Sequence, residues 1–165
     1  MLYQCQYYLC CIVLLYCHMV WSCNYPSNLH KLSVLQKRAI RIISAAEFRS
    51  QAADLFKRHK QLTLVDINKL QIAIFVFKSL NNLLPSVCMD YFKCNSELHH
   101  HFTRSANNLH IIRYNINTRY FSIKVQGPIV WNGLDSKLRE ISHLYRFKRL
   151  VKGSLFSVYY LMLPD

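Results

Sequence analysis

Between Asp66 and Leu80 the apolar residues Ile67, Leu70, Ile72, Ile74, Phe75, Val76 and Phe77 go nearly all the way round a helical wheel. A helix that is apolar on every side has to be wrapped by other elements, so this segment predicts the centre of the core. Asp66 is placed to cap its start, Asn81 and Asn82 to end it, and Pro85 forbids simple continuation. The chain can supply the wrapping: 165 residues with 52% hydrophobic and 13% aromatic composition and only three glycines suit one packed domain and argue against a disordered chain.

The flanking segments read as further helices. After Pro26, expected to close an N-terminal apolar helix over residues 1–25, Ser27 or Asn28 can cap a second one. In it Leu32, Leu35, Ala39, Ile42 and Ile43 recur at helical spacing as one buried stripe. Residues 26–85 thus form a basic and core helical region, with a short helix and connection between Ala45 and Leu64. Residues 86–108 are poor in periodicity and rich in His, Asn and Ser, which predicts a polar loop with one helical turn around Ser86 to Phe92. Leu109–Tyr114 and Thr118–Val125 alternate apolar and polar residues and contain β-branched Ile and Val, predicting two short strands. Gly127-Pro128 is expected to turn the chain into a Trp131 core anchor, completing residues 109–134. In residues 135–160, Asp135 starts a short helix and Ser142 caps the last, where Leu144, Phe147, Val151 and Leu155 share a face. The expected fold is mainly α, within the α+β class: a helical bundle with a short two-stranded β element near residues 109–125.

Charge points to the partner. Twenty-one Lys and Arg against eight Asp and Glu give a formal +13, and every one of those cations lies between Lys31 and Lys152. A chain so basic expects a polyanion, nucleic acid first and an anionic membrane surface second. Lys31, Lys37, Arg38 and Arg41 form a positive ridge on the second helix with no acid among them, and Arg149 and Lys152 add a second patch. These residues suit contacts to the backbone phosphates of RNA or DNA; the alternative is a solvated face of two amphipathic helices. Arg104 fits either a phosphate contact or a structural tie from its loop to helix carbonyls. Tyr and Phe interleave the basic segment Arg113–Lys124, where they suit stacking on bases or the buried face of a strand.

Catalytic signatures are missing. Nucleotidyl transfer needs paired carboxylates to hold two divalent ions about 4 Å apart, and no two of the eight acids are adjacent in the chain. There is no nucleophile elbow, no phosphate-cradling Gly-x-x-x-x-Gly-Lys and no dinucleotide fingerprint. The expectation is a non-enzyme without cofactor or metal. Cys88, Cys94, His99, His100 and His101 form the one metal-like cluster, but the spacing is wider than a zinc site normally uses and no second Cys pair follows. Seven cysteines, five of them before residue 24, read as free thiols of an intracellular protein in nucleus or cytoplasm. The run Tyr7–Trp21 is 15 residues long and contains His18, short for a membrane span, and it lacks the basic start and cleavage site of a signal peptide. A small membrane-associated basic protein anchored by residues 7–21 is the competing reading.

Three phrases carry a resemblance. "YPSNLHKLSVLQKRAIRII" (Tyr25–Ile43), "LVDINKLQIAIFVFKSLNNLLP" (Leu64–Pro85) and "TRSANNLHIIRYNINTRYFSIKVQGPIVWNGL" (Thr103–Leu134), in that order and spacing, resemble the C-terminal, post-palm part of the reverse transcriptase of jockey-type non-LTR retrotransposons. "YCHMVW" (Tyr16–Trp21) is similar to a Tyr-Cys-x-x-x-Trp segment of that family. The family are RNA-directed DNA polymerases of mobile elements. The resemblance implies a thumb-side and C-terminal region that holds template, primer or target nucleic acid and packs on the polymerase palm of a parent protein. It also implies that this region is non-catalytic, that Met1–Gln6 is a new start on a truncated open reading frame, and that the chain is a fragment with no necessary cellular role.

Overall fold

The computed structural model describes Ser22, residues 24–98 and residues 104–161. Nine helices account for most of them: α1 (Pro26–Ile43), α2 (Ala52–Arg58), α3 (Leu64–Leu80), α4 (Ser86–Met89), α5 (Asn95–Leu98), α6 (Asn117–Tyr120), α7 (Ile123–Asn132), α8 (Ser136–Arg139) and α9 (Leu144–Leu161). The fold of the described residues is mainly helical, as expected. They divide into two compact units, one reaching Asn68 and resuming at Gly153, the other Lys69–Lys152, with the boundaries inside α3 and α9.

In the first unit α1 packs on α2. Ile40, Ala52, Leu55 and Phe56 make its buried cluster, with Ala46 against them. Pro26 opens α1 rather than closing an earlier helix. Proline suits a first helical position, whose N–H would be unpaired anyway, and Tyr25 precedes it without a side-chain cap, so neither Ser27 nor Asn28 caps the helix. The predicted stripe is also rotated. Gln36 and Ile40 are the buried residues of α1, while Leu35 and Ile42 are 56% and 69% exposed. A buried glutamine decides that rotation: Gln36 Nε2 donates to the Leu62 carbonyl at 3.1 Å, and its Oε1 accepts from the Leu64 N–H at 2.8 Å. One side chain therefore pins the backbone that leads into α3.

Three helix ends share one device. After α1, α2 and α3 the residue in the left-handed region is Ala45 (φ 47°), Lys60 (φ 51°) and Asn82 (φ 55°). Each turn carries the paired bonds of a Schellman motif, Ala46 N–H to Arg41 C=O, Gln61 N–H to Phe56 C=O and Leu83 N–H to Lys78 C=O being the longer-range members. At the other end of α3 the cap is Thr63, not Asp66. The Thr63 hydroxyl accepts from the Asp66 N–H at 3.4 Å and donates to the Asp66 carboxylate at 2.6 Å, a variant of the capping box.

The second unit is built round the rest of α3, where Ile72, Ile74, Val76 and Phe77 are buried as predicted, Ala73 is buried with them, and Leu70 and Phe75 are half-buried. Phe77 stacks on Phe147 at 4.5 Å between centroids, and Trp131, the expected anchor, lies 5.7 Å from Phe147. The two expected strands are absent from the described residues. Residues 118–125 lie in α6, the following turn and the first residues of α7, and residues 110–114 form no strand; the β element reduces to one isolated antiparallel bridge, Cys94 to Leu109. Nor does Gly127-Pro128 make a turn: both lie buried inside α7. Gly127 is required by proximity, since a Cβ there would sit 2.5 Å from the Phe92 ring and 3.1 Å from Val76. In α8 Asp135 caps as expected, accepting from the Lys137 N–H. For α9 the helix starts one residue beyond the reach of Ser142, its first full-turn bond running from Phe147 N–H to His143 C=O.

Candidate nucleic-acid interface

The ridge of α1 projects outward. Lys31, Lys37 and Arg38 are exposed and Arg41 is half-buried. Stepping by four, three and four residues along the helix, Lys31, Leu35, Arg38 and Ile42 share one outward stripe that mixes cations with uncovered apolar side chains. Arg41 lies in the last turn, where a cation is favoured by the helix dipole.

The Schellman turn at Ala45 then brings residues 46–50 back beside the end of α1. Arg41 Nε donates to the Ser50 carbonyl at 3.0 Å, and Ser50 is itself held to the Glu47 carbonyl through its N–H at 3.0 Å and its hydroxyl at 2.7 Å. The guanidinium and the 47–50 turn thus fix one another. Between them opens a cleft of about 330 Å³ lined by Arg38, Arg41, Ile42, Ala46 and Phe48. Phe48, one of its lining residues, is 78% exposed. Further cations follow on the end of α2, with Arg58 and Lys60 exposed. There His59 Nε2 lies 2.8 Å from the Ser44 hydroxyl, which donates to the Ile40 carbonyl at 2.7 Å.

In the second unit Arg149 and Lys152 are exposed on α9, three residues apart, while Phe147 and Val151 turn inward. Arg104 is exposed in the turn before Leu109. A second arginine holds this segment: Arg139 of α8 donates through Nη1 to Asn108 Oδ1 at 2.9 Å. Asn132 completes the anchoring of this segment, its Oδ1 accepting from the Leu109 N–H and its Nδ2 donating to the Leu109 carbonyl, both at 2.9 Å. A side-chain amide here supplies the pairing that a neighbouring strand would have given. The aromatics of the basic segment pack largely on each other, Tyr114 to Tyr120 at 5.0 Å and Tyr120 to Phe121 at 5.1 Å, and Lys124 Nζ sits 4.4 Å over the Tyr91 ring.

Sequence reasoning found the ridge and missed Phe48, Gln36, Arg139 and Asn132. For Phe48 a signal was present, an aromatic between Glu47 and Arg49 in a stretch without helical period. Cys88 and Cys94 are free and half-buried, and burial first, with the Glu97 carboxylate second, pushes the Cys94 thiol above its ordinary pKa. His99, His100 and His101 lie outside the described residues, among which no group of three His, Cys, Asp or Glu could hold a metal. Tyr7–Trp21 also lies outside them, and among the described residues no helix is long and apolar enough to cross a membrane. No family model, curated protein or solved structure matches the chain.

Proposed function

We propose that this chain is a nucleic-acid-binding helical segment without polymerase chemistry of its own, of the kind that follows the palm in jockey-type reverse transcriptases. RNA or DNA lies along α1, with backbone phosphates on Lys31, Lys37, Arg38 and Arg41, and Arg149 and Lys152 offer phosphate contacts on α9. The supporting observation is the outward ridge itself: Lys31, Lys37 and Arg38 are exposed, with Arg41 half-buried at the helix end, in a chain of formal charge +13. Such contacts give affinity with little sequence choice. Because Lys37 and Arg38 are exposed, replacing them leaves the fold intact. In a salt series on duplex DNA, Lys37→Ala with Arg38→Ala should weaken binding uniformly across sequences. It should also lower the slope of log affinity against log salt by about one for each phosphate contact removed. An unchanged slope would assign the ridge to solvent.

A further inference from the structure

Phe48 stands uncovered on a fastened turn. It is 78% exposed, and it sits on a turn held in place by Arg41 Nε on the Ser50 carbonyl and by both bonds from Ser50 to Glu47. The cleft it borders is lined by Ile42, Ala46, Arg38 and Arg41, and its surface is almost wholly apolar, so the two arginines line it chiefly with their carbon stems. At about 330 Å³ it lies at the small end of ligand pockets, which run from about 300 to 1,000 Å³, so it suits a single flat group rather than an extended ligand. With Nε committed to Ser50, the Nη groups of Arg41 are the donors left for an anion.

An apolar slot edged by an open ring, lined by the stems of two arginines, matches one repeating unit: a base with its phosphate. In a duplex the base faces are covered by their neighbours and only edges and phosphates are offered. Unpaired bases expose the face on which an aromatic ring stacks. We infer that the Phe48 cleft takes one unpaired base of a single-stranded RNA or DNA, with the adjoining phosphate on Arg38 and Arg41. This rests on the nucleic-acid reading above and adds to its phosphate contacts a preference for single strands. Glu47 is the carboxylate of the same turn and is exposed, so its charge opposes the strand and sets a limit on affinity.

The test uses the full chain with an oligothymidylate strand, a uridine-rich RNA of equal length and a blunt duplex. Phe48→Ala should lose about 5- to 150-fold in affinity for either single strand, the range set by base–aromatic stacking energies, and less than about 2-fold for the duplex. Phe48→Leu, which keeps the apolar contact but not the ring face, should behave like Phe48→Ala, and Glu47→Gln should bind single strands more tightly. In Phe48→Trp, with wild type as the blank, added single strand should quench the new indole through stacking and duplex should not. Loss of single-strand and duplex binding in equal measure, or full affinity in Phe48→Leu, overturns the base slot. If Phe48 variants bind as wild type while Lys37→Ala with Arg38→Ala still lowers the salt slope, the phosphate ridge stands and the slot falls. Should no nucleic acid bind, both readings fall. Insertion of the Phe48→Trp indole into phosphatidylserine vesicles, without quenching by the strand, identifies a lipid surface instead and overturns the proposal.

Discussion

Gln36→Leu should be among the most damaging single substitutions in the first unit, although it replaces a polar side chain by an apolar one of similar size. Gln36 is 7% exposed and satisfies two backbone groups, the carbonyl of Leu62 and the N–H of Leu64, whose residues are themselves 5% and 3% exposed. Each buried backbone group left unpaired costs about 1–3 kcal/mol. Against that total, leucine returns about 1–2 kcal/mol of additional apolar burial, so at mid-range values the net loss should be about 2–3 kcal/mol. Urea unfolding followed by far-UV circular dichroism reads this as a lower midpoint at unchanged slope. A second variant separates hydrogen bonding from packing. In Gln36→Glu the new carboxyl reproduces both bonds only when protonated, since it must donate to Leu62 C=O while accepting from Leu64 N–H. Its folded pKa is therefore held above the unfolded value of about 4.3. The variant should approach wild-type stability below about pH 4.3 and lose about 1.4 kcal/mol for each unit by which the folded pKa is raised, as pH climbs through that window. Gln36→Leu with wild-type stability, or a Gln36→Glu deficit that is flat with pH, would refute the clamp.

Other substitutions probe the helix ends and the second unit. Left-handed backbone costs a non-glycine residue about 1–2 kcal/mol, offset by about 0.5–1 kcal/mol of glycine's greater unfolded-state freedom. Ala45→Gly and Lys60→Gly should each therefore raise stability by up to about 1 kcal/mol, while Asn82→Gly, replacing a residue tolerant of that region, should change it little; thermal melts rank the three. Gly127→Ala should cost about 1–3 kcal/mol because its methyl would meet the Phe92 ring at 2.5 Å, and Phe92→Leu should relieve part of that cost in a double-mutant cycle. The Cys94 thiol, raised by burial and by Glu97, should be alkylated by iodoacetamide more slowly than a free thiol at pH 8, with the onset of reaction moved to higher pH. Glu97→Gln should move that onset part of the way back, read by peptide mass spectrometry.

Much of this architecture is legible in the residues, and the failures have physical reasons. The buried centre of α3 is read correctly, though not its cap, because its apolar residues leave no outward face to mistake. In α1 the apolar stripe of Leu35 and Ile42 misleads, because the buried face was settled by a glutamine whose value lies in two hydrogen bonds rather than in hydropathy. The strands fail for a different reason. Val125, Pro128 and Trp131 stand at helical spacing and are all buried, yet Gly127-Pro128 reads locally as a turn. Glycine is there because Phe92 leaves no room for a Cβ, a long-range contact invisible to local pattern. Likewise Leu109 sits where a strand would begin, but Asn132, 23 residues away, takes both of its backbone groups. The cationic ridge was legible because charge on an exposed helix face needs no tertiary partner. Phe48 was not, since only the turn that Arg41 fastens makes it a wall of the cleft.

Photo-cross-linking of the full chain to a 4-thiouridine RNA, with the adducts located by peptide mass spectrometry, tests the central claim most directly. The account predicts adducts concentrated between Lys31 and Ser50, with Phe48 among the modified residues, and their loss as salt rises. Adducts confined to other segments, or spread without preference along the chain, would contradict it.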